Sequence, residues 1–212
     1  MRIDRSLYLQ WWPSGSDLAP RRRSAERGVT LMEVMIVLAI VAIVLAVGVP
    51  GFREFVARNR LDGAAQHLLA SLQYARSEAM RRGAQVTVRL AAAPGSRNWG
   101  GGWTMFVDAD GDGVLDDGEK PPVREGAALQ APLTLYGSEG FETLVAFDRE
   151  GRLTGAGGYF VLCEGDELKQ DGHWRSRAVL VNGTGRVRMA ARDDGRGVLL
   201  TDSGEIGDCG KP

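Results

Sequence analysis

The chain has 212 residues, enough for one domain plus a targeting or anchoring segment. Hydrophobic residues make up 44%, which supports a packed core and excludes global disorder. The formal net charge is −1, but six of the 26 basic residues lie in the first 28 positions, against Asp4, Asp17 and Glu26. The remainder holds 20 basic and 24 acidic residues. That balance excludes a bulk nucleic-acid binder, and any such binding needs a local basic patch.

Residues 1–28 read as a leader. They hold Trp11-Trp12-Pro13, a Ser/Gly stretch and the basic run Arg21-Arg22-Arg23, without a helical or strand period. From Val29 to Val49 the chain is apolar except for Thr30 and Glu33. A helix of that length spans ~30 Å, the thickness of a hydrocarbon core. Basic residues precede it, so the N-terminus is expected in the cytoplasm and the rest on the far side. A cleaved secretory signal is the competing reading. It is opposed by the length of the run, the lack of a small-x-small site at its end, and the acid at its start. A carboxylate near bilayer depth calls for a partner or a route to the interface.

Arg27-Gly28-Val29-Thr30-Leu31-Met32-Glu33, followed by an apolar run, resembles the class III signal of type IV pilins and type II secretion pseudopilins. The resemblance implies that a prepilin peptidase cuts between Gly28 and Val29 and N-methylates Val29. It also implies that Glu33 pairs with the N-terminal amine of a neighbouring subunit in assembly. Val29 departs from the commoner Phe, and the leader is long.

Pro50-Gly51 follows the membrane segment, 29–50, and predicts a kink. A second helical pattern, 51–82, carries Leu61, Ala65, Leu68, Leu72, Ala75 and Ala79 at steps of three and four, one stripe for packing on a sheet. Gly83 ends it. Beyond it the period becomes that of strands: Gln85–Leu90, Trp103–Val107, Leu133–Tyr136, Leu144–Phe147, Tyr159–Cys163, Ala178–Val181 and Arg186–Met189. Gly, Asp and Pro clusters separate them. The predicted class is α+β: a type IV pilin-like chain whose long N-terminal membrane-spanning helix packs on an antiparallel β-sheet domain, 83–212. The stretches Arg58-Asn59-Arg60-Leu61 through Ala75-Arg76-Ser77-Glu78-Ala79 and Gly102-Trp103-Thr104-Met105-Phe106-Val107-Asp108 are similar to the GspH/FimT group. Its members are minor pseudopilins of type II secretion or minor pilins of type IV pili, and the shared segments do not separate the two.

Three candidate features lie in the β-rich domain. Asp108, Asp110, Asp112, Val114, Asp116 and Glu119, with Gly113 sixth, match a twelve-residue calcium loop. They predict a structural calcium, although a strand precedes the loop and Pro121-Pro122 follows. The alternative is a solvated Asp/Gly turn, and the fold requires no cofactor. Gly185-Arg186-Val187-Arg188 would place Arg186 and Arg188 on one strand face about 7 Å apart. Between His173 and Arg196 there are six Arg and two Asp. The tetrapeptide is similar to the Gly-Arg-x-Arg element with which FimT-type pilins bind double-stranded DNA; a charged edge strand is the alternative. Cys163 and Cys209 are too few for a disulfide scaffold. Outside the cytoplasm a bond between them is expected. It would close a loop of about 46 residues, worth roughly 4 kcal/mol by the chain-entropy model.

There is no Gly-x-Ser-x-Gly elbow, phosphate loop or zinc spacing, and His67 and His173 join no nucleophile pattern. The expected role is structural, with other pilin subunits, the prepilin peptidase and the inner membrane as partners.

Overall fold

The computed structural model describes residues 28–91, 96–119, 121–170, 172–202 and 204–209. The leader, 1–28, lies outside these except for Gly28. The chain divides into two compact units, 1–47 and 48–212. Helix α1, Leu31–Arg82, runs through both. It starts at Thr30, whose hydroxyl accepts the Glu33 N–H at 3.2 Å, so the side chain satisfies one of the orphan donors of the first turn. Pro50 lies inside the helix without ending it. The helix closes at Gly83, where φ is +63° and the N–H reaches the Ala79 carbonyl at 2.9 Å. Glycine adopts that left-handed turn without steric cost.

Among the described residues thirteen strands follow: β1 Val86–Leu90, β2 Trp103–Val107, β3 Arg124–Gly126, β4 Leu133–Gly137, β5 Leu144–Phe147, β6 Gly158–Glu164, β7 Lys169–Gln170, β8 His173–Trp174, β9 Ser176–Val181, β10 Val187–Met189, β11 Ala191–Asp193, β12 Val198–Leu200 and β13 Glu205–Ile206. One four-stranded antiparallel sheet has the order β3-β2-β1-β5, and a second has the order β10-β9-β6-β4. The seven strands expected from the sequence all form. The single expected sheet is two, accompanied by the small sheets β11-β12-β13 and β7-β8.

Strand alternation explains the core. Val86, Val88 and Leu90 of β1 share one cluster with Leu61, Leu68, Leu72, Ala75 and Ala79 of the helix. Phe160 and Leu162 of β6 and Val179 and Val181 of β9 join the same cluster. The intervening Val161, Cys163 and Ala178 face the other way, into a second cluster with Leu168, Trp174, Leu199, Ile206 and Cys209. Strand β6 is therefore covered on both faces, and its sequence reads as a nearly continuous apolar run.

At the C-terminal end of the helix, buried Glu78 accepts from Arg81 at 2.6 and 2.8 Å and from Arg82 at 2.5 Å. The Arg81 hydrogen bond, opposed by burial and reinforced by Arg82, pulls the Glu78 carboxyl down to about 2.

Candidate functional site

The N-terminal segment presents its chemistry openly. Gly28 and Val29 precede the helix, and Glu33 occupies its first turn. Every residue from Leu31 to Gly51 is exposed, including Val37 at 52% and Val47 at 76%. Among the described residues this is the helix long and apolar enough to cross a membrane.

The arginine-rich region is largely neutralised within the chain. Arg186 stands at the mouth of the β9–β10 hairpin, exposed, with its backbone N–H on the Asn182 side-chain oxygen at 2.9 Å. Its guanidinium has no carboxylate partner among the described residues. Arg188 pairs with Leu180 across the edge strand β10, and its guanidinium is held by the Asp202 carboxylate. Arg175 is paired with Glu164, Arg177 with Asp62, and Arg196 with Asp193 and Glu205. Arg192 lies over the Trp174 ring, 5.5 Å from its centroid. The sequence excess of arginine therefore does not become an open basic stripe. Acids distant in sequence, Asp62 and Asp202, cancel it, and no local pattern announces them.

The acidic loop is well formed. Asp108 is buried, and its oxygens accept from Thr87 Oγ1 at 2.6 Å, Gln85 Nε2 at 2.9 Å, Gly111 N at 2.8 Å and Gly113 N at 3.1 Å. Asp108, Asp110 and Asp112 bring one carboxylate oxygen each within 4.8 Å of one another. Asp116 and Glu119 stand outside that cluster, and Glu119 spends both oxygens on the backbone N–H groups of Ala109 and Asp116. Local desolvation and the neighbouring Asp112, Asp110, Glu119 and Asp117 push the Asp116 carboxyl above its ordinary range. Much of the loop's acceptor capacity already serves the fold. Val114, the seventh position, presents an exposed side chain.

Cys163 and Cys209 form a disulfide inside the second cluster, tying the C-terminal segment to β6. His67 is exposed, its ring 6.2 Å from that of Trp103. His173 sits beside Arg58 at 3.0 Å and Glu54 at 3.5 Å, a tie between the helix and β8.

The family model for type II transport protein GspH matches residues 64–185, more than half of the chain. The chain belongs to the GspH family. The prokaryotic N-terminal methylation motif matches residues 23–49, across the helix start described above. The pilin-like protein PilA1 of Thermus thermophilus is 34% identical over 96 residues, 44% of this chain and 56% of PilA1. A fimbrial protein of Pseudomonas aeruginosa is 32% identical over 89 residues, 42% of this chain and 56% of that relative. This GspH-family chain thus matches little more than half the length of these relatives. Its fold is also similar to the crystal structure of the type IV minor pilin FimU of Pseudomonas aeruginosa. The TM-score is 0.51 at 27% identity, covering 73% of this chain and 98% of FimU.

Family and fold are those of structural pilins rather than enzymes. The apolar helix and the methylation motif fit anchoring in the inner membrane.

Proposed function

We propose that this GspH-family chain is a minor pilin of a type IV pilus, cut between Gly28 and Val29 and drawn into the filament through its N-terminal helix. The observation that carries the reading is the exposed apolar helix with Glu33 in its first turn, joined to a domain whose fold extends over nearly all of FimU. An apolar surface of that extent has no partner among the described residues, so in this reading lipid or neighbouring helices cover it. Glu33 then meets the ammonium created by cleavage of a neighbour. Each charge alone would be costly in an apolar setting, and pairing offsets much of that cost. In this reading the N-terminus faces the cytoplasm, and the domain 83–212 folds on the opposite side, where Cys163 and Cys209 oxidise. Mass spectrometry of the chain from membranes tests the cut: the mature protein should begin at N-methylated Val29. An uncut chain, or a cut after the apolar run, would contradict it. Service in a secretion pseudopilus is the alternative machine, in agreement with the description of the family model.

A second reading, weak contact with DNA, rests on the exposed guanidinium of Arg186. Arg188 joins it only if Asp202 lets go. Binding through these groups would be directed at phosphates and sensitive to salt. Asp202→Asn should then tighten DNA retention and Arg186→Ala should weaken it. Retention that ignores both substitutions would remove this hairpin from consideration.

A further inference from the structure

Two surfaces of the 48–212 unit are complementary and lie on different faces. The first is a groove of about 550 Å³ between the helix and the 128–133 loop, with Phe52, Val56, Leu129 and Leu133 in its apolar lining. Phe52 is 67% exposed, an apolar surface that the chain leaves to solvent. Arg53 and Arg60 line the same groove, and neither makes an ion pair with a described residue. Arg58, between them in sequence, is instead taken by Glu54. Glu164, also at the groove, is engaged by Arg175. The groove is thus apolar with an unbalanced basic edge.

The second surface is the tip of the acidic loop. Val114 is 42% exposed, and beyond the helix, among the described residues of 83–212, it is the only large hydrophobic side chain so exposed. Asp110, Asp112 and Asp116 surround it, exposed and without a cationic partner among the described residues. Thr87 binds Asp108 and Arg89 binds the Gly113 carbonyl, which hold the loop on the face of β1 opposite to Val86, Val88 and Leu90. The helix packs on that latter face, so the loop does not reach the groove of its own chain.

We propose that the loop of one copy seats in the groove of a second copy, Val114 on the apolar lining and Asp112 and Asp116 against Arg53 and Arg60. Seven helical residues are close to two turns, so the two arginines stand on one side of the helix roughly 10 Å apart. Different patches meet on the two copies, so the contact is heterologous, joining neighbouring copies head to tail, and is not the self-complementary contact of a two-fold dimer. The charges lie at a rim, where they fix register and partner choice more than affinity. The inference rests on the filament-subunit reading and names the surfaces that would meet there.

Two differently tagged full-length copies, one Val56→Cys and the other Val114→Cys, would be produced together in cells that assemble filaments. The sheared filaments would then be oxidised. A disulfide-linked pair of the two tags is expected. Its yield should fall at least tenfold when the second copy also carries Asp112→Lys and Asp116→Lys. It should return when the first then carries Arg53→Glu and Arg60→Glu. Both chains recovered in filaments without a linked pair would overturn the contact and leave the filament reading intact. So would links from Val56→Cys only to other proteins. A yield indifferent to charge reversal would also overturn it, pointing to lipid headgroups as the partner of the arginines. Absence of both chains from filaments would refute the filament reading itself.

Discussion

Residues 31–49 and 61–79 belong to one helix and face opposite fates. Val37 is 52% exposed in the first stretch, whereas Leu72 in the second is fully buried against β1 and β6. The first is apolar on every side except at Glu33; the second is apolar along one stripe only. A helix with one apolar stripe finds its partner in its own domain, and one that is apolar all round needs partners from outside. The difference assigns folding to the second stretch and assembly to the first.

Cavity formation is the severest way to break that comparison. Leu72→Ala should cost about 2–5 kcal/mol in denaturant unfolding of the full chain in detergent. A cost below about 1 kcal/mol would mean that the second stretch does not carry the fold. Glu78→Gln sharpens the comparison at the helix end, where an expected loss of about 1–3 kcal/mol follows from leaving a buried ion-pair network incomplete. The Glu78 carboxyl is depressed from 4.5 to about 2, so its contribution is present above pH 4.5 and is lost as pH falls toward 2. Comparing wild type with Glu78→Gln across that window should show the difference in stability shrinking with acid; a constant difference would contradict the assignment. Val37→Ala should change the same unfolding by no more than about 0.5 kcal/mol. A larger effect would show that the exposed stretch supports the domain after all.

The stripe from Leu61 to Ala79 was legible because helical periodicity repeats over five turns, and the seven expected strands because β-branched and other apolar residues cluster between turn residues. Strands β3, β7, β8, β11, β12 and β13 were not. They are two or three residues long, and segments such as Arg124-Glu125-Gly126 are strands only because β2 offers an edge to pair with. The acidic spacing of 108–119 was legible, but its use was not: the oxygens of Asp108 and Glu119 are committed to donors on the loop and on β1. The partner of Arg188 was not legible, because Asp202 lies 14 residues away and no sequence pattern joins them. Ion pairs across a fold are tertiary facts, and charge counts along the chain miss them.

The most direct test of the division between folding and assembly is Glu33→Ala, followed through membrane insertion, cleavage and recovery in sheared filaments. The variant should insert, be cut after Gly28 and keep a folded domain, yet fall at least tenfold in filaments, because the neighbour's ammonium loses its partner. Incorporation at the wild-type level would contradict the account, since Glu33 would then have no part in joining the subunit to its neighbours.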